Sequence, residues 1–160
     1  MSRYENILIA NDNLDITETT LPSKLSGVTF DDMILIRNNM DRVHKLETLA
    51  EEIAHLHVTY GDIRDQSKTI NRKYELKARR YAYERLITLQ GIVDAFHYGA
   101  SNLYELALFF EVSKSYVLDA IEHYKMKCGL DVYHNGYVIK FEPLQAVSYT
   151  HLTLPTTPYV

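Results

Sequence analysis

The sequence predicts an α+β chain: a small N-terminal sheet joined to two amphipathic helices, then a helix-turn-helix-like region and a C-terminal hairpin. Three observations carry this reading. Short β-prone runs bounded by turn residues fill the segment up to about Asn39. Apolar residues then recur at intervals of three and four through two longer segments. Near the end, Asn135-Gly136 stands between two β-prone runs, a strong hairpin signal.

In chain order, "NILIA" before the turn-forming "NDN", and "MILIR" after the loop-like "LPSKLSG", read as parts of the small sheet. Asp41 is placed to cap a helix whose stripe is Val43, Leu46, Ala50, Ile53 and His57, with Gly61 as its stop. The polar "DIRDQSKTINRK" leads to a second helix from about Arg72 to Leu89, striped by Tyr74, Ala78, Tyr81, Ala82 and Leu86. Tyr81 then fits the core, and Tyr83, on another face, the surface. Beyond Gly91, "NLYELALFFEVSKSYVLDAIEHYKMKCG" gives two helices around a tight "EVSKS" connection, and the hairpin "DVYHNGYVIKFEP" follows like a small wing. The organisation is therefore two units, 1–90 and 91–144. Residues 148–160, "SYTHLTLPTTPYV", are rich in Thr and Pro and lack periodicity, so they read as a non-native tail like translated sequencing-adapter sequence. His151 is accordingly no site candidate.

Bulk properties narrow the function. With 160 residues, 46% hydrophobic and 24% charged, the chain has the composition of a soluble globular protein, and no apolar run approaches the ~20 residues of a membrane span. A net charge of -4 argues against a surface dominated by phosphate-binding cations. The single cysteine, Cys128, excludes an intramolecular disulfide and any Cys-rich zinc knuckle. The start "MSRYENILIANDN" lacks the cationic head and apolar core of a signal peptide, which points to the cytoplasm.

The chemistry concentrates in "LAEEIAHLHVTYGDI", Leu49 to Ile63. In the HExxH motif two histidines one helical turn apart hold a metal and the intervening glutamate activates water. Here Glu51 stands where the first histidine would, followed by Glu52 and His55. At ~100° per residue Glu51 and His55 project only ~40° apart, away from the main apolar stripe. A solvated polar face would account for that pair alone. Glu75 adds weight: Ala78, Ala82 and Leu86 follow it at helical spacing, so it borders the apolar stripe and needs a partner. Arg79, four residues on, is the ordinary ion-pair partner, and a metal held by Glu51, His55 and Glu75 is the alternative. The separations of 24 and 20 positions from Glu51 and His55 to Glu75 match zincin-like, thermolysin-like sites, in which Glu52 is the water-activating base. His57 is assigned a core or ligand-supporting role, and Tyr60, His44 and His57 are candidate donors to an oxyanion.

The pieces "LAEEIAH", "YGDI" and "YELKARRYAYERLI" resemble the ImmA/IrrE family of metallo-endopeptidases, in particular the phage and mobile-element branch, where an AEExxH string commonly replaces HExxH. The likeness runs from about Tyr4 to Leu144 and makes 1–90 a metallopeptidase-like unit. It implies Glu51, His55 and Glu75 as metal ligands and Glu52 as catalytic base. It also implies a helix-turn-helix repressor as protein substrate, so that the chain acts as an anti-repressor. Zinc is the expected metal, although a His-plus-two-carboxylate set is hard enough to admit manganese or iron.

Two other function classes stand beside the protease: a regulator that binds the repressor without cutting it, with metal structural or absent, and a DNA-binding regulator built on the winged unit. Base contacts in the last case would come from Lys114, Ser115 and Tyr116, a set with one cation followed by the acids Asp119 and Glu122. Direct DNA binding is therefore disfavoured. The 13 tyrosines, alongside no tryptophan, suit core packing first and a protein interface second.

Overall fold

The structure, a computed structural model, describes residues 1–58 and 69–149. The expected stop at Gly61, the donor candidate Tyr60 and the tail from 150 onward, His151 included, lie outside the described residues. The chain forms two compact units, one of Met1–Leu86 with Glu111–Ser113 and one of Ile87–Phe110 with Lys114 onward.

The first unit opens with a helix where a β run was expected. α1 spans Arg3–Ala10 and takes in the whole of "NILIA". A capping box explains the difference: Ser2 Oγ accepts from Glu5 N at 3.2 Å, and Glu5 Oε2 accepts from Ser2 N at 3.0 Å. Three strands follow, β1 (Asp15–Thr19), β2 (Gly27–Phe30) and β3 (Met33–Arg37), in the order β1-β3-β2. β3 lies parallel to β1 and antiparallel to β2. "MILIR" alternates as a half-buried strand should, with Ile34 and Ile36 fully buried.

α2 (Arg42–Val58) and α3 (Thr69–Leu86) complete this unit, and α2 packs against β2, β3 and α3. Asp41 starts α2 as expected, its Oδ1 accepting from His44 N at 2.8 Å. The inward face of α2 is Leu46, Leu49, Ala50, Ile53 and Ala54; α3 buries Ala78, Ala82 and Leu86. Tyr81 and Tyr83 exchange their expected places, since Tyr83 is buried and Tyr81 only partly so.

β2 can lie close to α2 because Gly27 has no side chain. A Cβ there would come within 2.7 Å of Thr48 Cγ2, 3.1 Å of Glu52 Cγ and 3.2 Å of Leu35 O. On another side, Tyr4 Oη donates to Glu18 Oε2 at 2.9 Å while Lys45 Nζ pairs with Glu18 Oε1 at 2.6 Å. One carboxylate thereby links α1, β1 and α2.

In the second unit α4 (Leu89–Tyr98) is capped by Thr88, whose Oγ1 accepts from Gly91 N at 2.9 Å. Gly91 thus sits inside a helix rather than before a new region, at a point where a Cβ would meet Phe110 Cε1 at 2.9 Å. α5 (Leu103–Phe110) and α6 (Lys114–Cys128) form the expected helix pair. The hairpin gains a third strand: β4 (Asp131–His134), β5 (Tyr137–Phe141) and β6 (Leu144–Ser148) form an antiparallel meander, with Asn135 and Gly136 at φ of 45° and 84° in its first turn. Ser148 pairs with Tyr137, and Tyr149 N donates to Gly136 O at 2.7 Å, so the sheet extends into the first residues of 148–160. Tyr124 ties α6 to this sheet by stacking on Phe141 at 5.7 Å and donates to Ile87 O at 2.7 Å. Among the described residues no helix is long and apolar enough to cross a membrane.

Two stability outcomes follow. Gly27→Ala overpacks the β2–α2 contact and is expected to cost about 1–3 kcal/mol in urea unfolding; an unchanged midpoint would show that Thr48 yields freely. The bond from Lys45, with Tyr4 adding to it, holds the Glu18 carboxyl below the usual range. Its folded value being depressed, the contribution is complete above the unfolded value of ~4.3 and is lost as pH falls through the folded one. Glu18→Gln is therefore expected to cost at most about 1 kcal/mol at neutral pH, with the gap to the parent chain closing in acid. A gap independent of pH would assign the loss to packing instead.

Candidate functional site

α2 carries two kinds of surface. Its apolar side faces the sheet, whereas Glu51 and His55, one turn apart, meet residues of α3. His55 Nε2 lies 3.5 Å from Glu75 Oε2, and one donor atom from each of Glu51, His55 and Glu75 falls within 4.8 Å of the other two. His55 is 8% exposed, so its ring is held by surrounding protein rather than by solvent. Ligands sharing one ion at ~2.1 Å stand ~3.4 Å apart in tetrahedral geometry, so modest side-chain closure would bring these three into range. Two carboxylates and one imidazole make a suitable set for a divalent cation with a position left open for a substrate or water.

The electrostatics favour such a cation. Burial pushes the Glu51 carboxyl above its ordinary value, with the Arg79 guanidinium opposing. Burial does the same to Glu52, against the hydrogen bond from Thr29. For His55 burial works against the charged form, yet the Glu75 bond and the charges of Glu52, Glu75 and Glu51 outweigh it and hold the ring above its usual range. Three acids thus crowd one histidine where water screens poorly, an arrangement that a bound cation relieves.

Glu52 is held from the sheet side. Thr29 Oγ1 on β2 donates to Glu52 Oε2 at 2.6 Å and stands 3.3 Å from Glu52 O. The carboxylate is thereby fixed next to the cluster, and nothing in the local sequence signals it, since Thr29 and Glu52 are 23 residues apart. Of the two partners weighed for Glu75 on α3, His55 is the one it meets, while Arg79 is set 3.8 Å from Glu51 Oε1.

The other singled-out residues lie elsewhere. His57 is exposed and stacks on Tyr81 at 5.4 Å, which corrects the core alternative of its expected core or ligand-supporting role. Two positions past His55, its ring is turned ~200° around the helix from the chelating face. His44 is exposed too, its Nδ1 2.7 Å from Asp41 Oδ1. At the start of α6, Lys114 and Ser115 are exposed but Tyr116 is buried, so the trio does not present one surface. Lys114 stands over the Tyr104 ring at 5.5 Å.

A protein-family model described as the IrrE N-terminal-like domain matches residues 11–122, a span that contains Glu51, Glu52, His55 and Glu75. No curated protein and no solved structure gives a significant match.

Thr29→Val removes the hydroxyl donor from a half-buried carboxylate at nearly constant volume. A loss of about 1.5–3 kcal/mol in urea unfolding at neutral pH is expected, in the range for hydrogen bonds to charged groups. Stability equal to that of the parent chain would mean that Glu52 finds another donor.

Proposed function

Because the chain belongs to the ImmA/IrrE family, whose IrrE N-terminal-like domain it carries, we propose that it is a working metal-dependent endopeptidase. We take its substrate to be a helix-turn-helix repressor of a phage or mobile element, cut in the cytoplasm, with the chain acting as an anti-repressor. The observation that carries the catalytic part is the convergence of Glu51, His55 and Glu75 from two helices, with Glu52 anchored beside them.

In this reading Glu51, His55 and Glu75 hold the ion, with zinc as the first choice and manganese or iron as alternatives suited to two carboxylates. The ion, when bound, supplies Lewis acidity for the scissile carbonyl and acidifies water. Glu52 accepts the proton of the attacking water and returns it to the amide nitrogen as the C–N bond breaks. Burial suits Glu52 to both tasks, because a carboxyl raised from its ordinary value is a stronger base toward water. Thr29 limits its motion, so the carboxylate waits in one orientation.

Elemental analysis of the full chain should find close to one divalent ion per molecule, and Glu51→Ala/His55→Ala/Glu75→Ala should find none. A small repressor encoded beside this chain is the first substrate to try. Glu52→Gln should keep the ion and lose about 10²–10⁴-fold in cleavage rate. Ion bound at stoichiometry with no cleavage of any repressor tried would favour the non-catalytic regulator, and no ion under replete conditions would sink the metal centre itself.

A further inference from the structure

We propose that Arg79 is a further catalytic residue, the cationic donor to the carbonyl oxygen of the scissile bond; this rests on the peptidase reading above. Attack of water on an amide moves the carbonyl π pair onto oxygen, and that developing charge needs a fixed donor or cation. The histidines that the sequence offers are turned to other tasks, His44 to Asp41 and His57 to Tyr81. Arg79 lies on α3 one turn beyond Glu75, so the helix that supplies a ligand also carries the guanidinium to the same cluster.

Its position suits a group that meets substrate. The Arg79 side chain is 50% exposed, against 9% for His55 and 24% for Glu75, which puts it at the open edge of the cluster. Its Nη2 is 3.8 Å from Glu51 Oε1, an electrostatic contact beyond hydrogen-bond length and unlike the bidentate fork that locks an arginine on a carboxylate. A divalent ion on Glu51 weakens the attraction that holds the guanidinium there, and its planar N–H donors then turn to a carbonyl oxygen lying over the cluster. The chemistry balances without a proton from Arg79. The water oxygen bonds to carbon, Glu52 takes the proton, the π pair moves to the carbonyl oxygen beside the guanidinium, and collapse breaks C–N with the proton passing to nitrogen.

The test compares Arg79→Ala and Arg79→Lys with the parent chain, with zinc as the binding probe and with the repressor that the parent cleaves in a Glu52-dependent way. Removing the guanidinium removes a like charge from beside the ion, so Arg79→Ala should bind zinc at unchanged stoichiometry and several-fold more tightly. Its kcat should fall about 10²–10³-fold with KM little altered. Arg79→Lys should recover part of that loss, and millimolar guanidinium should partly rescue Arg79→Ala but not Glu52→Gln. A parent-like kcat in Arg79→Ala overturns the proposal while leaving the peptidase reading intact. So does a rate loss that saturating zinc restores, which would make Arg79 a positioning residue for Glu51. If the parent chain shows no Glu52-dependent cleavage, both readings fall together.

Discussion

The close packing of α2 on α3 is the constraint from which the rest of the first unit follows. Ala54, Ala78 and Ala82 are fully buried on these two helices, and side chains this small let helix axes approach closely. Only at short range can an imidazole on one helix reach a carboxylate on the other. The spacing of Glu51 and His55 provides two donors, but their common focus exists because Glu75 is brought up by an apolar contact a turn away.

That arrangement works against stability locally. Glu51 and Glu52 are raised by desolvation, and each is further opposed by its acidic neighbours. A cluster of this kind persists only if the surrounding core supplies more than the cluster takes away. The fully buried Ile34, Ile36, Leu46 and Leu49 supply that surplus where α2 meets the sheet. Apolar burial against the sheet anchors α2, while Glu51 and His55 meet α3 and Glu52 is held by Thr29 of β2.

Much of this was legible in the sequence, and the parts that were not have separate physical causes. Helix period, the cap at Asp41 and the turn at Asn135-Gly136 are local signals, and the family resemblance rests on contiguous strings, so these could be read directly. "NILIA" misled because its apolar run was weighed without the Ser2/Glu5 capping pair in front of it. The exchange of Tyr81 and Tyr83 shows the limit of an apolar stripe as a guide to burial when both candidates are amphipathic. For Glu75 the sequence left two partners in view, the ordinary pair with Arg79 and the set with Glu51 and His55. A neighbour four residues away is visible in sequence, whereas His55, twenty residues off, becomes the nearer group only after the helices pack. The parallel β1–β3 pairing and the Thr29 bond to Glu52 are likewise products of tertiary structure, for which no short-range pattern exists.

Gly27 shows how such distant dependencies propagate. Its missing side chain leaves the room that Thr48 and Glu52 occupy, so a position with no functional group sets how near the sheet comes to the proposed base. In a lineage of such chains, residues 27 and 48 cannot drift independently, because a methyl group gained on the strand must be matched by one lost on the helix. Covariation between this strand and α2 would accordingly record a shape requirement of the packing beside Glu52, to which neither residue adds a functional group.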